Sequence, residues 1–333
     1  MEALCVLYAF DENYAPYAGV SICSLLEHNK ALPFSLVAAT DGVCEATRDA
    51  LRALAHTYGR EITFVNSSPV TARIAACGIP AYRGSQSANV RLFFDTVLPQ
   101  MPSRVLYLDC DTLVCGDLSA LFAWELNGAP AAAVQDSLSA RYKRLLGFAE
   151  EEPYYNSGVL LIDTGAWIAK KVPERIEKHA TEVRAAYRNP DQDLLNLVLK
   201  GELATLPPAY NLQPHHSAFA SATYLHVYHQ RCYYTAEALE DAARAPAILH
   251  AYRYLGAFPW QKSSHHPHAP CWEYYLTKTP WNGAQKKPAA GGLIFTAERI
   301  LYHILPRHAF LALFARVTDR RARREEKKIK KVL

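Results

Sequence analysis

The stretch VLYLDCDTLV, residues 105–114, places two carboxylates, Asp109 and Asp111, at the end of a run of strand-forming apolar residues. A buried ionised carboxylate is costly without a positive partner, and a like-charged neighbour raises that cost. Alternate residues of an extended chain share a face, so Asp-x-Asp turns both carboxylates to one side. Such a pair chelates a hard divalent cation, Mg²⁺ or Mn²⁺, which in turn neutralises a diphosphate. Solvated loop acids are the plainer reading of Asp-x-Asp alone, and the preceding VLYL argues against it.

Outward from this stretch the chain alternates. ALCVLYAF, FSLVAAT and ITFVNSS read as strands, separated by the helical patterns of VSICSLLEHN and CEATRDALRALAHTYG. SQSANVRLFFDTVLP reads as a further helix, and APAAAVQD and SGVLLIDTGAW as further strands. Strands alternating with helices of this length predict βαβ units and a parallel sheet. Ligands of such sheets sit beyond the carboxyl ends of the strands, where Asp11, Asp109, Asp111 and Asp136 all fall. In PDQDLLNLVLKG, Pro190 and Asp191 open a helix that Gly201 closes.

The composition, 50% hydrophobic and 20% charged over 333 residues, is that of an ordinary soluble protein able to bury a full core. The N-terminus lacks a basic segment and a cleavage site, and no window approaches the roughly 18 apolar residues of a membrane span. The expected location is the cytoplasm. Eight cysteines without a CxxC pair, most in apolar surroundings, read as buried reduced thiols. Between Arg316 and Leu333 nine Lys/Arg face three acids, so this tail carries +6 and the rest of the chain −2. Residues 293–314 put Ile300, Leu301, Ile304, Leu305, Leu311 and Phe314 near one broad face, interrupted by Pro306. An amphipathic helix with a polybasic extension suits an anionic membrane surface. Nucleic acid is not an expected partner, because the tail lacks aromatic residues for stacking.

VLYLDCDTLV together with YAFDENYAPYAGVSICSLLEHN, YYNSGVLLIDTGAW, PDQDLLN and the ILH…PW segment resembles glycosyltransferase family 8, with the motifs in family order over about residues 4 to 275. That family includes bacterial lipooligosaccharide galactosyl- and glucosyltransferases, general-stress-type relatives and, more remotely, glycogenin. The resemblance implies an α/β GT-A fold, a Rossmann-like mostly parallel sheet flanked by helices. It also implies a UDP-galactose or UDP-glucose donor, a Mn²⁺ (or Mg²⁺) requirement and retention of anomeric configuration. Residues 1–281 are the expected catalytic domain, with nucleotide-sugar binding over about 1–140 and the sugar and acceptor part over about 141–281. Residues 282–292 are an expected linker, and 293–333 an amphipathic helix and basic tail.

By the same resemblance, Asp109, Asp111 and His250 are the metal ligands, with Cys110 between the two acids at the donor. Ala9, Asp11 and Asn13 read the uracil and ribose, and Arg91 lies near the donor sugar and phosphate, although its own neighbours also allow a surface arginine. Asp136, Asn156, Ser157, Asp191 and Gln192 line the sugar and the reaction centre. Asn156 and Asp191 could otherwise be a turn residue and a helix cap. Gln192 falls beneath the anomeric carbon, and a neutral amide there favours front-face substitution over a covalent intermediate on Asp191 or Asp193. One departure stands out: the family's Gly and Lys-Pro-Trp after the histidine are replaced by HAYRYLGAFPWQK, with Gly256 displaced and Phe258 in the lysine's place. Arg253 or Lys262 could substitute. The expected acceptor is a saccharide or lipid-linked saccharide of a bacterial surface glycan or lipopolysaccharide, and the expected location is peripheral, on the inner face of the membrane. Phe258 favours a second possibility, a noncatalytic nucleotide-sugar-binding relative; a nucleotidyltransferase would need a glycine-rich basic signature that AFDENYAP lacks. Either Asp-to-Asn change in the pair is expected to leave the fold intact, and removal of 293–333 to leave donor chemistry untouched.

Overall fold

The computed structural model describes residues 4–82, 84–98, 100–138, 140–183, 187–229, 231–262, 264–289 and 292–329. The first half alternates as predicted: β1 (Leu4–Asp11) and α1 (Ala15–His28), β2 (Ser35–Asp41) and α2 (Glu45–Thr57), β3 (Ile62–Asn66) and α3 (Ser68–Ala76). Ser87–Thr96 is helical but of the tighter 3₁₀ type, kinked at Phe93. Ser87 and every residue from Asn89 to Phe94 are buried, so packing on all sides replaces an amphipathic face. There follow β4 (Arg104–Leu108), β5 (Thr112–Val114), α4 (Ser119–Phe122), β6 (Ala131–Ala133) and α5 (Ala140–Leu145). Next come β7 (Val159–Asp163), α6 (Thr164–Ala169), α7 (Val172–Val183), α8 (Pro190–Val198) and β8 (Ala204–Thr205). Helices α9 (Pro214–Ala218), α10 (Ser221–Tyr228) and α11 (Ala236–Arg244), strand β9 (Ile248–His250), then α12 (Ala269–Leu276), α13 (Leu293–Ile304) and α14 (Arg307–Ile329) complete the chain.

The described strands form one seven-stranded sheet in the order β3-β2-β1-β4-β7-β6-β8 and a two-stranded ribbon, β5-β9. β1 pairs in parallel with both β2 and β4, so the strand order reverses between β1 and β4 and opens a crevice at their carboxyl ends. The sheet departs from the predicted parallel arrangement at one place: β7 runs antiparallel to both β4 and β6. The reversal sets the start of β7 beside the end of β4, and the Asp109 N–H donates to the Gly158 carbonyl at 2.8 Å. Alternation alone does not carry strand direction. The central strands are buried on both faces, Val6, Tyr8 and Phe10 toward one layer and Cys5, Leu7 and Ala9 toward the other, as their near-continuous apolar sequence requires.

Four cysteines (5, 23, 77 and 110) are buried as expected, whereas Cys44 and Cys232 are exposed and Cys115 and Cys271 half-buried. Trp281 packs on Gly19 of α1 so closely that a Cβ there would meet its ring at 2.2 Å. Within the predicted linker, the Lys287 carbonyl accepts from the Lys262 N–H at 2.9 Å; residues 290 and 291 of that stretch, and 330–333 of the basic tail, lie outside the described residues. The single apolar face expected over 293–314 is divided. Leu301, Leu305 and Phe314 join Phe310 and Leu311 in a cluster with Phe219, Tyr224 and Tyr228, while Ile300 and Ile304 face outward.

Candidate active site

The β5-β9 ribbon builds the centre of the crevice. Thr112 pairs with His250 in register, which brings an imidazole 139 residues away beside Asp111. His250 Nε2 lies 3.2 Å from Asp111 Oδ1 and 3.8 Å from Asp109 Oδ2. One ligand atom from each of the three residues falls within 4.8 Å of the others. The tautomer follows from a chain of donors: the Gly158 N–H donates to Asn156 Oδ1, which also accepts from Asn211 Nδ2, so Asn211 Oδ1 is left to accept from His250 Nδ1. Nδ1 therefore carries a proton and Nε2 is the nitrogen turned to the carboxylates, the arrangement of a metal-binding histidine fixed by an outer partner. Gly158 makes the space, since a Cβ there would sit 2.2 Å from His250 Cε1 and 2.8 Å from Asp109 Oδ2. Two carboxylates and one imidazole around such a cradle fit Mn²⁺ or Mg²⁺.

The positive partner of the carboxylate pair is also within the protein. Arg91, on the 3₁₀ helix, is only 2% exposed. Its guanidinium lies 2.5 Å from Asp109 Oδ1 and 3.2 Å from Asp191 Oδ2, donates to the Ser157 carbonyl at 2.6 Å, and lies 4.4 Å from the centre of the Tyr107 ring. Burial opposes its charge, but Asp109 and Asp191 outweigh burial and hold its pKa above the usual arginine value. The surface-arginine reading is thus excluded. Burial raises the Asp109 pKa, Arg91 draws it down and Asp111 adds to the rise. For His250, burial works against the charged form, yet the two acids prevail and raise the pKa.

Asp191 is no helix cap: it is buried, paired with Arg91, and its Oδ2 accepts from the Ser157 hydroxyl at 2.8 Å. Asn156 is more than a turn residue, donating from Nδ2 to Asp136 at 2.8 Å and to Gln192 at 3.1 Å. Gln192 in turn donates to Asp136 at 3.1 Å. Burial raises the Asp136 pKa against the hydrogen bonds of Asn156, Leu138 and Gln192. Asp136, Asn156, Ser157, Asp191 and Gln192 therefore form one web with Arg91 and the Asp109–Asp111–His250 cluster.

Ala9 meets that web through Cys110, whose thiol donates to its carbonyl at 3.6 Å. Burial, reinforced by Asp109, Asp111 and Asp11, pushes the Cys110 pKa well up, which keeps this thiol protonated. Asp11 accepts from the Tyr14 N–H at the entry to α1, and Asn13 is exposed at the crevice rim. Gly256 stands apart from the web. It and Leu255 take positive φ in the tight turn Tyr254–Ala257, beneath the ring of Phe295 from α13. Phe258 stacks on Trp260, which stacks on Tyr17. Arg253 sits 4.7 Å from the centre of the Phe295 ring, and Lys262 pairs with Pro288. Asn211 and Gly158 are the site residues missed in sequence. Gly158 stood inside a recognised motif, whereas PPAYNLQP carries no signal for Asn211.

The profile of Glycosyl transferase family 8 matches residues 5–263. The lipopolysaccharide 1,2-glucosyltransferase of Escherichia coli (strain K12) is 28% identical over 316 residues, 93% of this chain and 88% of the relative. General stress protein A of Bacillus subtilis (strain 168) is 26% identical over 289 residues, 84% of this chain and 96% of the relative. The crystal structure of the galactosyltransferase LgtC, in complex with donor and acceptor sugar analogs, superposes with a TM-score of 0.70 at 25% identity, covering 84% of this chain and 99% of that one.

Proposed function

Because the chain belongs to glycosyl transferase family 8 and is a glycosyltransferase of the bacterial lipooligosaccharide type, we propose that it moves galactose or glucose, with retention, from a UDP-sugar to a saccharide of a lipopolysaccharide or related surface glycan. The observation that supports this most is the joining of the Asp109–Asp111–His250 cluster to Gln192 through Arg91, Ser157 and Asp191. Asp109, Asp111 and His250 Nε2 would hold Mn²⁺ or Mg²⁺, supplying Lewis-acid charge at the diphosphate leaving group. Arg91 fixes the Asp109 carboxylate, and Asn211 fixes the imidazole. Ala9, Asp11, Asn13 and Cys110 receive the nucleoside end; Asp136, Asn156 and Ser157 receive the sugar hydroxyls. Gly256 shapes the turn after His250 on the diphosphate side.

The carboxylates around Gln192 are engaged: Asp191 by Arg91 and Ser157, Asp136 by Asn156 and Gln192, and Asp193, fully buried, by Tyr142, Tyr154 and two backbone N–H groups. Held this way they are poor nucleophiles. The reaction is therefore front-face substitution, with Gln192 beneath the anomeric carbon and the acceptor proton passing to the departing phosphate oxygen.

Residues 1–281 carry this chemistry and 293–333 attach it to the cytoplasmic face of an anionic membrane, near lipid-linked acceptors. Supporting this are the outward Leu293, Ile294, Ile300 and Ile304 on α13, beside the basic tail. No helix of the described residues is long and apolar enough to cross a membrane.

The test is donor hydrolysis across UDP-sugars with and without Mn²⁺. UDP-galactose or UDP-glucose should turn over only with the metal, and Gly158→Ala should abolish the metal response. Phe258 in the lysine's place favours a noncatalytic nucleotide-sugar-binding relative instead, and tight UDP-sugar binding without turnover toward any saccharide acceptor would establish that reading.

A further inference from the structure

Gln192 is held by two donors and two acceptors. Its Oε1 accepts from the Ser157 backbone N–H at 3.2 Å and from Asn156 Nδ2, and its Nε2 donates to Asp136 at 3.1 Å and to the Tyr154 hydroxyl at 3.2 Å. The Ser157 N–H can only donate, so it fixes which end of the amide is oxygen. Tyr154 Oη must then accept from the amide, and its own proton must go elsewhere. It goes to Asp193 Oδ1. Asp193 is 0% exposed, and its other oxygen accepts from the Arg188 and Asn189 backbone N–H groups at 3.1 and 3.0 Å. Tyr142 adds a further hydroxyl to the same carboxylate at 2.9 and 3.0 Å.

We infer that Tyr154 and Asp193 are positioning residues that set the polarity of the Gln192 amide, through a one-way relay in which Tyr154 donates to the Asp193 carboxylate and so can only accept from Gln192. This rests on the reading of Gln192 as the residue beneath the anomeric carbon. Neither residue touches the sugar in this scheme. A buried tyrosine kept only for packing would be indifferent to the direction of its O–H bond. The relay is not indifferent, because reversing it turns a hydroxyl hydrogen against the amide hydrogens of Gln192.

Asp193→Asn performs that reversal. The two backbone N–H groups hold the new amide's oxygen, which leaves its NH₂ facing Tyr154 and turns the tyrosine O–H toward Gln192. The experiment is steady-state donor hydrolysis by the full chain with Mn²⁺, with a thermal melt of every variant. Tyr154→Phe should lower kcat about tenfold, roughly 1.4 kcal/mol, with donor KM unchanged. Asp193→Asn should lower kcat on the order of a hundredfold. The double variant should recover to the Tyr154→Phe level, because without the hydroxyl there is nothing to reverse. A double variant as slow as Asp193→Asn, or a Tyr154→Phe that changes KM alone or nothing, overturns the relay; the latter holds even if Asp193→Asn fails to fold. Gln192→Ala separates the two levels, with a loss of about 10- to 100-fold expected. Impaired Gln192→Ala without the Tyr154 and Asp193 pattern defeats the relay alone, whereas Gln192→Ala at full rate defeats the reading beneath it.

Discussion

At the scale of residues, the two acids of VLYLDCDTLV look equivalent in sequence and are not. Asp109 is bound to a guanidinium 2% exposed, while Asp111 faces His250 at 3.2 Å. Removing one partner of a buried pair is costly because the other charge stays behind. Asp109→Asn should therefore cost on the order of 2 kcal/mol, since Arg91 keeps Asp191 but loses its shorter contact, whereas Asp111→Asn should cost less, since the imidazole it leaves can shed its proton. Chemical denaturation of both variants without added metal checks this, and equal stabilities would contradict it. The expectation from sequence that either change leaves the fold intact did not reckon with the pairing of Arg91 and Asp109. Asp-x-Asp and His250 were legible because both belong to motifs with fixed local spacing. The burial of Arg91 and the role of Asn211 were not, because each depends on partners brought from far along the chain by strand pairing.

At the scale of elements, alternation of strands and helices was readable, and the direction of β7 was not. SGVLLIDTGAW is apolar enough to be buried either way round, and only its pairing with β4 distinguishes the two. The HHS (215–217) and HHPHAP (265–270) segments likewise carry no periodicity from which the burial of their histidines could be read. In the fold, His216 of α9 donates or accepts at Tyr233, and His266 is held between the Tyr252 carbonyl and the His268 N–H. Burial depresses their pKa values to about 3 and about 4. An unfolded histidine titrates near 6.5, so below that pH the unfolded chain binds protons that the folded chain refuses. This stability is complete above about 6.5 and is lost as pH falls toward the folded values, by up to about 3 to 5 kcal/mol per group. The melting temperature should thus drop between pH 7 and pH 5, and His216→Gln should shrink the drop. A flat profile across that interval would show that these imidazoles are solvated.

For the whole molecule, charge and apolar surface are segregated. The body carries −2 and the segment from Arg316 carries +6, adjoining a helix whose Leu293 is 91% and Ile304 71% exposed. Each basic residue near an anionic surface contributes about 1 kcal/mol, so the full chain should bind anionic liposomes at low salt and release as salt rises. Ile300→Glu with Ile304→Glu should abolish that binding and leave UDP-sugar hydrolysis intact. These point changes are better than deleting 293–333, because Phe310 and Leu311 cover Phe219, Tyr224 and Tyr228, and deletion would expose that surface. An intact protein that ignores anionic liposomes at low salt would refute the attachment. Amphipathic periodicity showed that an apolar face exists, but how that face divides between core and solvent depends on the bend at Pro306 and on α10.

The β5-β9 ribbon has a bearing on biogenesis. Chains emerge from the ribosome N-terminus first, so Asp109 and Asp111 are synthesised long before β9 and must wait, with β5 unpaired, until His250 and the segment behind it are released. Asn211, which sets the imidazole, also comes late. A nascent or prematurely terminated chain ending before β9 thus holds both carboxylates and Arg91 but lacks the imidazole that completes the cluster. On the proposed metal role, a chain cut short of β9 should neither hold the cation nor turn over a UDP-sugar, so loss of the chain from β9 onward should abolish activity rather than weaken it.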